Sequence, residues 1–510
     1  YDTFVHELIT AEGLLWVNGA TGFYLRDQGM PLDHMSNLMR LFLGTRIECA
    51  QCHDHPFEPI TQQDFYQLAS FTYGVSVMFG GQSYDVNQVE HWPALKQRLQ
   101  ETNSDKEFSD SVSQTIAPLK RRTSDTSGIL TYGKEFMANP DFHGTEVTLR
   151  TLFGDEAPVE IEDRREALAQ WVTSPRNPRF ARNIANRLWK RVFGVGLIEP
   201  VDSLSPVDRP EHTELLEFIS KAMTQLGFDE RAFLAMLFNS RLYQSEVVRE
   251  EWSVGDSMEL RGPWLRRLTA EQLWDSTLTL LVPDLDERKS SRGDLSYLQK
   301  LAGMSADELW DMAGERLDIR RWHRDHQKQI LDTEDAIRIA EAARNEAKVD
   351  QLKQQRDELL RKQEQRPYTD RLPPIKPEPD PRWNSLNPVY VRASELTAPS
   401  RLGHYLRFFG QSDRREIDAS NDDPSISQSL ALMNGELTQK AMDSNSLLRT
   451  TLADFADTSA KIEATYLSIL VRQPTADEMR TCGALFETSP TPDEDLIWAL
   501  FNSPEFLFQQ

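Results

Sequence analysis

Residues 315–366 contain neither glycine nor proline. A stretch that long, without turn-formers or helix-breakers and rich in Glu, Arg, Lys, Gln and Ala, favours the α-helix. As one rod it would extend roughly 78 Å at ~1.5 Å per residue. Its apolar residues make no continuous seam. Ile330 and Ile337 share one heptad register and Leu352 and Leu359 another, and the two do not join. The spacing therefore predicts a long solvated helix or a helical hairpin, not a clean coiled coil. Six prolines within 367–381 predict an extended linker behind it.

Helical periodicity also governs most of the rest. It predicts helices over 33–43, 61–73, 163–173, 178–193, 211–225 and 229–240, and again over 425–441, 445–454, 458–471, 475–487 and 493–503. Asp33 and Thr61 are expected N-caps, Gly44 an expected helix stop, and Thr269 with Gln272 an expected capping box. Residues 82–127 read as a polar surface insertion with one short helix. Residues 128–153 alternate between Gly and Pro breaks, which predicts a small β-hairpin or sheet. The expected fold is mainly α: a multi-helical, two-domain protein divided as 1–255 and 256–510, the second part holding 315–366 and the Pro-rich linker.

Lys plus Arg number 57 against 80 Asp plus Glu, a formal net charge of −23. Such a chain offers no field to attract phosphates, so nucleic acid and anionic membrane are not expected partners. No apolar run approaches the ~18–20 residues of a membrane span, so no transmembrane segment is expected. Three cysteines in 510 residues exclude a disulfide-stapled scaffold. Two of the three lie in Cys49-Ala50-Gln51-Cys52-His53.

Cys-x-x-Cys-His has a chemical reason to exist. Its two thiols can add to the two vinyl groups of a haem, and the adjacent histidine then lies under the iron as proximal ligand. The first reading is one covalent haem c per chain, on Cys49, Cys52 and His53. A zinc site using Cys49, Cys52, His53 or His55 is the alternative. It needs four ligands, and no second cysteine knuckle is present. A redox dithiol would normally open a helix after a strand, whereas Cys49 follows one.

For a sixth iron ligand the candidates are His143, His212, Met78 and Met433. Each has an ordinary structural reading, a capping histidine or a core methionine. A filled sixth position favours electron transfer and an open one ligand binding or catalysis. Arg182, Asn186 and Arg187 share a helix and read as a network tying helices to loops. Neither 410–415 nor the acidic run 418–423 has EF-hand spacing. No Gly-x-Ser-x-Gly, His-Glu-x-x-His or phosphate loop occurs. Lone Cys482 reads as a buried small hydrophobe.

The run from Phe42 through Cys49-Ala50-Gln51-Cys52-His53-Asp54-His55-Pro56-Phe57, followed by Thr61-Gln62-Gln63-Asp64-Phe65-Tyr66, resembles the planctomycete cytochrome-like domain (PSCyt type). Asn186-Arg187-Leu188-Trp189 through Leu197 resembles the same domain. Arg266 through Asp275, Arg392-Ala393-Ser394-Glu395, Phe409 through Arg414 and Leu432-Met433-Asn434-Gly435 resemble its C-terminal partner domain of unknown function (PSD type). The resemblance implies an exported, haem-bearing protein, periplasmic or otherwise extracytoplasmic. It sets His212 ahead of His143, although Glu211 and Thr213 depart from the family phrase around that histidine. It also implies that the chain begins partway into the cytochrome-like domain.

The expected function is extracytoplasmic electron transfer or haem-based redox chemistry. One alternative is a structural or assembly protein with a haem- or zinc-stapled loop. Another is an enzyme on polysaccharide or a small reductant with an auxiliary haem. The expected partner is a redox protein or other subunits of an assembly, with 315–366 as an oligomer contact.

Overall fold

The computed structural model describes the chain except residues 79–89, 121, 127, 154–162, 205–210, 251–256, 290–293, 366–379, 385, 402, 412–424 and 510. It is mainly α-helical, as expected, with two large apolar cores and a smaller third.

The first core gathers helices Pro31–Leu43, Gln62–Ala69, Arg164–Val172, Phe180–Phe193 and Thr213–Gln225 around Leu38, Met39, Phe65, Leu168, Phe180 and Phe193. Pro31 opens its helix at the first turn, where its missing N–H is no loss, so Asp33 is not the cap. Gly44 ends that helix at φ 56°, a left-handed conformation that suits glycine. The stop is also crowded, since a Cβ there would fall 2.7 Å from Leu204 Cγ and 2.8 Å from Asn183 Oδ1. Thr61 and Asp64 close a reciprocal capping box at the next helix.

The second core packs Ala270–Leu281 against the C-terminal helices through Leu273, Trp274, Leu278, Ile462, Ile497 and Phe501. Thr269 and Gln272 form the expected capping box. Gly435 divides the helix expected over 425–441 into Ile426–Asn434 and Glu436–Met442. Cys482 is buried, 3.8 Å from the Tyr466 hydroxyl. The segment after the first core stitches the two together. Trp264 N donates to Phe193 O, and Arg266–Arg267 pairs antiparallel with Phe508–Gln509.

The glycine- and proline-free stretch is a hairpin, not a rod. Helix Ala306–Ala342 starts at a Ser305–Glu308 capping box, and Glu346–Gln365 returns after a turn in which Arg344 takes φ 52°. The two heptad registers belong to opposite arms. Ile337 and Leu352 meet in one small cluster near the turn, and His326 Nε2 donates to Leu359 O at 2.8 Å further down.

Residues 82–127 are more than a surface insertion. Two helices, Trp92–Glu101 and Lys106–Ile116, bury Leu95, Val112 and Ile116 with Leu301, Leu309 and Ala313 at the hairpin's base. The hairpin expected within 128–153 is present in short form. A single bridge joins Thr131 and Glu146, flanked by Tyr132 N to Thr145 O and Val147 N to Leu130 O. A separate three-stranded antiparallel sheet joins Gly13–Leu14, Arg122–Asp125 and Val75–Met78. Most of the Pro-rich linker, and the sequences 412–415 and 418–423, lie outside the described residues.

Candidate functional site

The motif sits on a single 3₁₀ turn, Glu48–Gln51, capped by Ile47 and Cys52. With three residues per turn, positions i and i+3 eclipse. Ile47 and Ala50 therefore share one face, and both are fully buried in the first core. Cys49 and Cys52 share another face, and both are exposed free thiols. The cysteine spacing and the apolar spacing are the same local geometry seen from opposite sides.

His53 follows at the surface. Its Nδ1–H donates to Asp54 O at 2.7 Å. That bond fixes the tautomer and leaves the Nε2 lone pair directed away from the backbone, the arrangement a metal-binding imidazole needs. His55 is the reverse case. Its Nδ1 accepts from Glu58 N at 2.9 Å and Phe57 N at 3.2 Å, so the neutral ring carries its proton on Nε2. No lone pair is left on His55 for an ion, which removes it from a zinc set in this conformation. Among the described residues no three His, Cys, Asp or Glu side chains converge closely enough to hold an ion directly.

Two buried ionic clamps hold this loop. Glu58 Oε2 receives Arg179 Nη2 at 2.8 Å, with side chains only 6% and 11% exposed, and Arg179 Nη1 also donates to Thr45 Oγ1. Asp202, 2% exposed, receives Arg40 Nε and, at 2.6 Å, Arg46 Nη2. Burial alone would raise the Asp202 carboxyl, but the hydrogen bonds from Arg46 and Arg40 outweigh it and hold it below the ordinary carboxylate range. Helix Phe180–Phe193 adds further hydrogen bonds. Asn183 Nδ2 donates to Leu41 O, and Arg187 Nη2 donates to Arg40 O. Asn186 exchanges two bonds with Ile198. Asn186 and Arg187, with Asn183, form the expected network between helices and loops.

Gln62 was not singled out by sequence reasoning, although it lies in the quoted run. It is fully buried, and its amide uses every bonding position. Nε2 donates to Gln51 O and Glu135 O, both at 3.1 Å, and Oε1 accepts from Met137 N at 2.9 Å and Ala138 N at 3.1 Å. The motif is thereby tied to the 133–144 loop. Tyr66, one helical turn on, is buried, and its hydroxyl has no hydrogen-bond partner among the described residues. Burial first, then the charges of Glu135 and Cys52, push it up to about 12. On the other flank, Glu48 helps line a cavity of about 380 Å³ with Arg26, Asn37 and Arg40.

The structure thus places Cys49, Cys52 and His53 together, and Gln62 links them to the loop that carries His143. His143 Nε2–H donates to Phe136 O at 2.8 Å. His212 lies elsewhere, at the start of helix Thr213–Gln225, and its ring nitrogen bonds Met258 O at 2.8 Å. Met433 belongs to the C-terminal helices, where its carbonyl receives Trp498 Nε1. The Met78 side chain lies outside the described residues.

The class defined so far is a two-core helical protein presenting a Cys-x-x-Cys-His turn to solvent. Residues 164–486 match the PSD1 family, described as a protein of unknown function (DUF1553), and residues 1–76 match PSCyt2, likewise a protein of unknown function (DUF1549). The first match spans more than half of the chain, which therefore belongs to the PSD1 family, preceded by a PSCyt2-like segment in the expected order. Comparison with curated proteins and with solved structures finds no match. One detail changes. Asn186–Leu197, which the resemblance set with the cytochrome-like domain, falls within the PSD1 span. Both ionic clamps cross between the spans, pairing Glu58, Arg40 and Arg46 of the first with Arg179 and Asp202 of the second.

Proposed function

We propose that this chain is a c-type haem protein serving electron transfer or haem-based redox chemistry outside the cytoplasmic membrane. The supporting observation is the turn itself: two thiols on one exposed face, followed by an imidazole whose Nδ1 is committed and whose Nε2 is free. A haem bound here supplies reversible one-electron chemistry at its iron. Cys49 and Cys52 would hold such a haem through thioether bonds, each S–H adding across a vinyl double bond with no net oxidation, and His53 would supply the nitrogen ligand. Cys49, Cys52 and His53 do not converge on a point, which would suit a large group held at separate positions. Tetrahedral zinc needs convergence. The Tyr66 hydroxyl, buried and without a hydrogen-bond partner among the described residues, fits a site completed by a further group. The −23 charge makes a basic redox protein the expected partner.

The test is export of the chain through a haem c maturation system, followed by peptide mass analysis and a reduced-minus-oxidised spectrum. The expected result is an α-band and haem mass on the peptide carrying Cys49 and Cys52, lost in Cys49→Ser and Cys52→Ser. A correctly exported, folded chain with no covalent haem overturns the reading. A second reading, assembly through the long hairpin, draws on its exposed Leu331 (52%) and Ile339 (71%). Concentration-independent monomeric mass in sedimentation would dismiss it.

A further inference from the structure

The segment 135–138 combines a fixed backbone with a free side chain. Gln62 takes Glu135 O, Met137 N and Ala138 N. His143 donates to Phe136 O, and Phe136 N donates to Gly133 O. Phe136 is fully buried, its ring centroid 4.3 Å from Tyr132 and 5.5 Å from Tyr66. The next residue, Met137, is 71% exposed. The Met137 side chain adds nothing to the core and stays available at the surface on a backbone held from both sides.

Its position relative to the motif is set by the same amide. Gln51 O and Met137 N bond to the nitrogen and the oxygen of the one Gln62 amide, so they lie within about 8 Å of each other. Phe57, 76% exposed, leaves another large apolar group beside His55.

Resting on the haem reading above, we propose that Met137 is the sixth iron ligand, with Gln62 and His143 as positioning residues for its loop. A thioether offers a sulfur lone pair with no proton to lose, and a methionine paired with histidine raises the reduction potential of the haem. Of the two candidates on this loop, His143 uses its accessible Nε2 to hold Phe136 O. The assignment favours electron transfer over an open catalytic site.

The experiment compares the exported holo-protein with Met137→Ala, His143→Ala and Gln62→Leu, reading spectrum, CO binding and midpoint potential. Met137→Ala removes only an exposed side chain, so the fold and the covalent haem are expected to persist. The red charge-transfer band of thioether-ligated ferric haem should disappear, CO should bind the reduced protein, and the midpoint potential should fall. Gln62→Leu should give a mixture of the ligated and unligated spectra. Unchanged spectra in Met137→Ala, or wild-type protein that already binds CO stoichiometrically, overturn the Met137 assignment while leaving the haem reading intact. Loss of the band in His143→Ala with Met137→Ala unaffected would transfer the role to His143 and overturn it too. A chain with no covalent haem overturns the haem reading, and this assignment with it.

Discussion

The two large cores are built from the same material and hold their charges differently. In the first, carboxylates enter the interior to grip the motif loop: Glu58 and Asp202 have side chains 6% and 2% exposed. In the second, the cluster of Arg472 with Glu478 and Glu505 is about one-third exposed at every member, and Asp493 with Arg449 and Lys461 is 17–24% exposed. Burying a carboxylate costs several kcal/mol of lost hydration, and an equally large apolar side chain would often do as well for stability alone. The first core accepts that cost around a loop that has little apolar hold of its own. Residues 44–60 insert only Ile47, Ala50 and Ile60 among the buried hydrophobic side chains. Position, rather than stability, is what these clamps secure.

If that contrast is right, the largest effect comes from breaking a clamp on one side. Glu58→Ala leaves the buried Arg179 guanidinium, among the described residues, with Thr45 and the Phe153 ring, 4.6 Å away, as its side-chain partners. The expected loss is about 3–5 kcal/mol in urea unfolding, the range for an orphaned buried charge. A loss below about 1 kcal/mol would mean that the Arg179 pair is not a clamp.

Asp202→Asn should cost less, about 1–3 kcal/mol, because Arg46 is 42% exposed and can regain water. This residue also gives the contrast a pH axis. Its folded carboxyl titrates below its ordinary value of 3.8, so the stability it contributes is fully present above that value. It is lost as the pH falls through the lowered folded value. Wild-type protein should therefore lose stability below about pH 4 more steeply than Asp202→Asn, and parallel acid curves would exclude Asp202 as a source of the loss.

The sequence carried some of this arrangement more plainly than the rest. Capping boxes at Thr61 and Thr269, and the stop at Gly44, were legible because each is settled by residues within a turn of one another. The turn at Cys49 was legible as a motif. The clamps were not, since Glu58 meets Arg179 and Asp202 meets Arg46 across separations of 121 and 156 residues. Gln62 was hidden for another reason. A glutamine in the first turn of a helix is ordinary, and its value lies in four partners, three of which come from a distant loop. The small sheet escaped because its strands are two to four residues long and too short to alternate. The long hairpin was foreseen only as one of two forms. No glycine marks its turn, and Arg344 takes the left-handed conformation there instead.

The smallest effect is expected in the second core, where it serves as the control. Glu478 accepts from Arg472 at 2.7 and 2.8 Å and from Thr475 N at 2.7 Å. The Arg472 bonds, then the Thr475 bond, bring its carboxyl down to about 2. The side chain is nonetheless 31% exposed, so most of the electrostatic gain is shared with water and screened by salt. Glu478→Gln keeps an oxygen to complete the capping box and loses only the charge. It should cost less than about 1 kcal/mol, and less still in high salt, whereas the Glu58 effect should barely respond to salt because that pair is out of reach of the ions. If the two variants proved equally costly and equally salt-sensitive, burial would not be what separates them. The two cores would then differ in geometry alone, and the ionic clamps around Cys49 and Cys52 would carry no special meaning for the site.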